Sequence, residues 1–209
     1  MPIIDQAEYN RTEAKQGSGG FEQMEPGVFE LYIQAIRTSW TNKDGAVSTA
    51  DDKKCVRVIW DVASGPFEKK YTEAYFVDWE GRPDPDKDFM HSEYLSWKNL
   101  AYLKGRFEAI DAANPGFNSF AAFTAIPDTG ITPEHFSQFV GKRFWAVLDG
   151  ELTVNKNGYD TWQLDIGAWI TPEQVRTGDF PEPKRVDKRS KSKQGGAAQA
   201  QPYGALYNV

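Results

Sequence analysis

The chain has 209 residues, 40% of them hydrophobic and 26% charged, with a single cysteine and a formal net charge of −6. That length supports one sizeable core, the lone Cys55 excludes an intrachain disulfide, and no run approaches the roughly 18 apolar residues of a membrane span. From Pro181 on, six basic residues stand against Glu182 and Asp187, a net of +4, which leaves residues 1–180 at −10 and restricts any nucleic-acid site to a local patch.

Residues 1–20 are polar and end in Gly17-Ser18-Gly19-Gly20, a flexible arm with no core-forming period. Nothing in Met1–Asn10 resembles a signal peptide, so a cytosolic protein is expected. After the turn at Glu25-Pro26-Gly27, residues Val28 to Arg37 alternate, with Phe29, Leu31, Ile33 and Ala35 on one face and Glu30, Tyr32 and Gln34 on the other. That period of two predicts a half-buried strand. Thr38 to Lys53 is polar and predicts a long hairpin loop. Lys54 to Ser64 predicts a second strand, with Val56, Val58, Trp60 and Val62 inward and Arg57 and Asp61 outward. Beyond Gly65-Pro66, Lys69 to Asp78 predicts a third strand rich in Tyr and Phe, completing a meander.

Gly81 to Asp88 is a Pro- and Asp-rich loop. Ser92 to Ala113 carries apolar residues at three-and-four spacing, which predicts an amphipathic helix capped by Ser92 and stopped at Asn114-Pro115-Gly116. Residues 117–131 read as irregular, and Thr132-Pro133-Glu134 starts a short helix through Phe139. Lys142 to Leu152 and Tyr159 to Ile170 read as strands joined at Asn157-Gly158, since Asn-Gly between alternating runs marks a hairpin. A short helix begins at Thr171-Pro172-Glu173. Residues 181–209 are rich in Lys, Gly, Ala and Gln and read as a disordered basic tail.

Three strands, a helix and two strands is the order of a mainly β, five-stranded OB-type barrel with a helix between strands 3 and 4, spanning 21–180. A β-sandwich could use the same order, but it normally needs about seven strands. Phe21 to Ile33, the strand Val56 to Val62, Gly65-Pro66-Phe67-Glu68-Lys69-Lys70 and Gly141 to Val147 together resemble a phage-encoded family filed mostly as a domain of unknown function. The resemblance covers about residues 20–180. Members sit among recombination and replication genes, and some are regarded as OB-fold single-stranded DNA-binding proteins. The resemblance implies that function here, with single-stranded DNA and phage or host replication and recombination proteins as partners, in a host cytoplasm. It departs at the C-terminus, where Pro202 to Val209 replaces an acidic, Phe-terminated tip.

Single-strand binding needs cations for phosphates and rings for bases. The candidates are Tyr32 and Arg57 on strands 1 and 2; Lys69, Lys70, Tyr71 and Tyr75 on strand 3; Lys142, Arg143 and Trp145 on strand 4; and Lys156 at the hairpin tip. Trp60 and Trp162 lie in phase with apolar neighbours and belong to the core; Trp40 and Trp79, flanked by polar loops, are better candidates for exposure, although a core or capping role is the larger expectation for each. Asp84-Pro85-Asp86-Lys87-Asp88 imitates a calcium loop but has Phe89 where Gly and Leu95 where Glu are needed. His91 and His135 lack zinc-ligand spacing. No catalytic motif, cofactor loop or metal site is evident, so a binding protein, not an enzyme, is expected. OB-fold binders often multiply their sites by forming homo-oligomers. The alternative is a protein–protein interaction module for a replisome or virion, which would touch no nucleic acid and would expose apolar residues instead.

Overall fold

A strand of eleven residues with a one-residue irregularity organises the sheet, and the computed structural model describes it together with residues 23–42, 45–69, 91–154 and 158–189. Strand β1 (Gly27–Arg37) pairs antiparallel with β4 (Cys55–Val62) on one side and with β6 (Arg143–Val154) on the other. Between them in sequence come the small hairpin β2 (Ser39–Thr41) and β3 (Val47–Thr49) and the helical turn α1 (Ala50–Lys53). They occupy most of what the polar pattern marked as loop.

The register of β1 shifts between Ile33 and Ala35. Leu31 and Ile33 face the core, Gln34 is the extra residue of a bulge, and Ile36 then takes the inward place opposite Val58. The strict alternation expected through Ala35 therefore breaks, because a bulge inverts which residues face inward beyond it.

The strand beside β4 is β5 (Ser92–Ser96). This corrects the helix start. Leu95 is buried against Val56 while Tyr94 points outward opposite Arg57, an alternation that the helical spacing of positions 95, 97, 100 and 103 concealed. Helix α2 (Leu100–Ala113) begins after Asn99, whose side chain accepts from the Tyr102 amide. Most of the third strand expected over Lys69–Asp78 lies outside the described residues, as does the 81–88 loop. A second correction is α3 (Ser119–Thr124), capped by Asn118, where irregular chain was expected. A 3-10 turn, Pro133–Phe136, follows.

Strand β7 (Asp160–Ile170) pairs with β6 along its length, as the Asn-Gly signal implies; residues 155–157 fall outside the described set. Helix α4 (Pro172–Thr177) has a reciprocal cap between Thr171 and Gln174. The chain then returns as β8 (Arg185–Asp187), parallel to β6 over Gly150–Leu152. The tail reading is corrected for this stretch. Arg185 pairs with Glu25 at 2.9 Å, Lys184 with Asp149 at 3.6 Å and Arg189 with Asp160 at 2.6 Å, so acids of the body hold a segment whose composition is that of a linker.

The result is mainly β: a nearly closed, five-stranded antiparallel barrel in the order β5-β4-β1-β6-β7, consistent with an OB-type barrel, with α2 between its third and fourth strands. Its core joins Leu31, Ile33, Val56, Val58, Trp60, Phe144 and Leu148 to Leu103, Phe107 and Ile110 of α2. Edges β5 and β7 come into contact without a ladder between them. Arg106 of α2 spans the gap. It donates to Glu93 Oε1 at 2.7 Å and to the Tyr94 carbonyl, and lies 5.8 Å from the Trp169 ring. Trp169 stacks in turn on Phe144 at 3.8 Å.

Gly150 sits where β6 changes partners from β1 to β8. A Cβ there would stand 2.5 Å from Pro26 and 2.9 Å from the Trp162 ring. Gly150→Ala is expected to destabilise the fold by about 1–3 kcal/mol through overpacking, read as a lowered denaturant midpoint at unchanged slope.

Candidate functional site

The outer face of the barrel carries two surfaces of different chemistry. The first is a rung of directly opposed residues on three neighbouring strands: Arg37 of β1, Arg57 of β4 and Tyr94 of β5. The Gln34 bulge brings Arg37 here; an unbroken alternation would have turned it toward the core. Arg57 donates to Ser92 Oγ from Nε at 3.2 Å and from Nη2 at 2.8 Å. Its guanidinium lies 5.6 Å from the Tyr94 ring centroid. Partial burial lowers its pKa, with Tyr94 acting in the opposite sense; a guanidinium keeps its charge throughout the physiological range. Tyr94 is 43% exposed and is backed by Trp40 at 5.5 Å. Trp40 is itself buried, in the core or capping role that its sequence favours over exposure, where the β2–β3 hairpin sets it under Tyr94.

One rung further along stand Cys55 and Ser96. Burial pushes the Cys55 thiol up, while Lys98 and Lys53 beside it pull it back. Lys54, between α1 and β4, adopts a left-handed φ of 52°. Its carbonyl accepts from the Trp97 amide at 3.1 Å and from Ser96 Oγ at 3.2 Å. Among the described residues no carboxylate pairs with Lys53, Lys54 or Lys98. The end of this face therefore carries three lysines that no carboxylate neutralises directly, with an exposed ring beside them and Asp51 and Asp52 on the preceding turn.

The second surface lies on β1 and β6, where Tyr32 opposes Arg143 and Glu30 opposes Trp145. Here acids accompany the cation. Arg143 Nη1 reaches Glu30 Oε2 at 3.2 Å, and Ser64 donates to the same oxygen at 3.0 Å. The Tyr32 hydroxyl donates to Asp61 Oδ2 at 3.4 Å, and Asp61 is fully buried. Burial, reinforced by Asp61, pushes Tyr32 up to about 12. Neutralised cations beside buried acids make this surface a poor phosphate seat.

The sequence candidates thus divide. Arg57 belongs to the first surface, and Tyr32, Arg143 and Trp145 belong to the second. Lys142 lies 4.5 Å from the Phe117 ring, and Lys69 pairs with Glu68 at 3.6 Å in the turn after β4. Lys70, Tyr71, Tyr75 and Lys156 lie outside the described residues, as do Trp79 and the Asp84–Asp88 loop. Arg37, Tyr94, Lys53, Lys54 and Lys98 were missed. The alternation of Ser92 to Ser96 was a signal for Tyr94, and no local signal marks the bulge that turns Arg37 outward.

His91 is buried against Trp60, ring centroids 5.0 Å apart, and the exposed His135 ring accepts from the Thr132 amide at 3.1 Å. Among the described residues no group of three or more His, Cys, Asp and Glu side chains gathers in metal-binding geometry, and no helix is long and apolar enough to cross a membrane.

Tyr32 gives the second surface a pH signature. Its phenol ionises near 10 when unfolded and near 12 when folded. The stability associated with neutral Tyr32 is therefore complete below pH 10 and is lost as pH rises toward about 12. Denaturant melts across that window should show a shallower decline for Tyr32→Phe than for the wild type, and a tyrosinate absorbance titration should lose one late-ionising phenol. No protein-family model matches this chain, and no curated protein matches it either.

Proposed function

We propose that this protein binds single-stranded DNA across the outer face of β4 and β5, as a non-catalytic OB-type barrel. The observation that carries the reading is the Arg37–Arg57–Tyr94 rung, continued by Lys53, Lys54 and Lys98. A single strand offers phosphates at regular spacing with bases free to turn, and such sites combine a cationic track with exposed rings. In OB barrels the corresponding face, on the second and third strands, binds oligonucleotides. The resemblance at Phe21–Ile33 and Gly141–Val147 supports a place in phage-type replication or recombination.

A second reading has its own observation. Leu100, Tyr102 and Phe120 on α2 and α3 are 70%, 69% and 67% exposed, and Leu100 and Phe120 border a cleft of about 480 Å³ with Leu103 and Phe107. That is the exposed apolar face of an interaction module.

Titration with oligo-dT and with duplex at two salt concentrations separates the two. Single-strand binding through three to five phosphates should give a log–log salt slope of about −2 to −3.5. Tyr94→Ala should weaken binding by about 1–3 kcal/mol, and Arg57→Ala should flatten the slope by about 0.7. Lys184→Ala, whose cation is held by Asp149, should leave both unchanged. Absence of any oligonucleotide shift at low salt would reject the proposal in favour of the interaction module.

A further inference from the structure

At the end of β5, next to the cationic rung, the surface opens into a cleft of about 360 Å³. That volume falls within the roughly 300–1,000 Å³ of small-ligand sites. Its walls are Trp97, Phe123, Ile126 and Ile131, with Phe136 at the base and Lys54 and Asp128 as polar members. Trp97 and Phe123 meet edge to face at 5.5 Å.

Three features distinguish this cleft from the apolar groove of α2. It lies beside the rung's end of the sheet, because Trp97 follows directly on Ser96, which stands opposite Cys55 one rung from Tyr94. Its lysine is anchored at the backbone: the Lys54 carbonyl accepts from Ser96 and Trp97, so the lysine and the indole start from the same corner of the cleft. Its lining joins apolar walls to one cation and one acid, Lys54 and Asp128, while Asp51 accepts from the Ile131 amide beside it. An apolar peptide would leave Lys54 and Asp128 unanswered. A nucleotide, with a flat ring, an N–H and a phosphate, answers the walls, the acid and the cation together.

We infer that the Trp97–Phe123 cleft is a base pocket. It takes one nucleobase turned out of a single strand while Lys54 holds the adjoining phosphate, and Asp128 offers acceptor oxygens to a base N–H. The inference rests on the single-strand reading and adds a subsite away from the strand face to which that reading is confined. The strand then runs from Arg37 and Arg57 over Tyr94 and past Lys98 to the cleft, so the anchoring base is held between α1, the end of β5 and the segment after α3.

The test uses the full chain and an oligo-dT carrying a single iododeoxyuridine, crosslinked by light and mapped by mass spectrometry. Adducts on Trp97 or Phe123 are expected. Lys54→Gln and Trp97→Leu should each weaken oligo-dT binding on the order of tenfold, as loss of one phosphate contact or one stacked base does. Lys54→Arg and Trp97→Phe should restore it. An oligonucleotide with abasic positions should bind the wild type less tightly than oligo-dT and should bind Trp97→Leu no differently from it.

If the wild type binds oligo-dT but adducts fall on Tyr94 and never in the cleft, the base pocket is overturned and the strand-face reading survives. Unchanged affinity in folded Lys54→Gln has the same meaning, and that variant serves where Trp97→Leu fails to fold. If the wild type does not bind at all, both fall. A concentration-dependent mass that Trp97→Leu abolishes would assign the cleft to a second copy of the chain and overturn the pocket.

Discussion

A barrel of five short strands has two edges to reconcile, and in this protein one guanidinium spans them. β5 and β7 approach without a ladder, and Arg106 reaches from α2 to Glu93 and the Tyr94 carbonyl on one edge and lies over Trp169 on the other. Arginine suits the position, because its planar fork bonds a carboxylate and a carbonyl together while its face rests on an indole. Lysine offers neither the plane nor the fork. Burial raises the Glu93 carboxyl and Arg106 pulls it back. A half-buried pair of this kind adds little net stability, and its larger effect is geometric. It fixes β5, and through the Tyr94 backbone it fixes the one exposed ring of the rung.

The charge distribution follows a similar economy. The chain is net negative, yet its cations divide into those that acids claim and those left available. Lys184, Arg185, Lys188 and Arg189 pair with Asp149, Glu25, Glu151 and Asp160, and Arg143 pairs with Glu30. Lys53, Lys54 and Lys98 are not so paired among the described residues. At physiological salt, potential is felt over about 8 Å, so a distant excess of acid is screened while adjacent lysines are not. An acidic protein can therefore present a cationic track, whereas its conspicuously basic C-terminal stretch is occupied internally as far as Arg189.

Much of the barrel was legible in the sequence. Val56 to Val62 alternated as it folds, the Asn157-Gly158 signal lay between the right strands, and helix α2 falls within the interval read as helical, although the barrel's third strand, β5, occupies the start of that interval. The errors share one cause: local pattern does not report what a neighbour imposes. The Gln34 bulge adjusts β1 to β4 and leaves no trace in composition. Ser92 to Ser96 is a strand because β4 needs a partner, although its apolar spacing also suits a helix. Arg185 to Asp187 forms a strand because β6 has a free edge and acids lie beside it. The site suffered for the same reasons. Arg57 was legible because its strand was, while Arg37 waited on a bulge and Tyr94 on a strand read as helix.

That returning segment carries a consequence for how the molecule behaves among its own copies. The second half of β6 runs beyond the reach of β1, and β8 covers its backbone from Gly150 to Leu152. An uncovered stretch of this kind is a template for another chain's strand. The cover is short, exposed and held by ion pairs at its margins, so its grip weakens as ionic strength rises. Release would leave a bare edge flanked by the acids Glu25, Asp149 and Glu151. The basic segment therefore occupies the edge at which another molecule's strand would otherwise add.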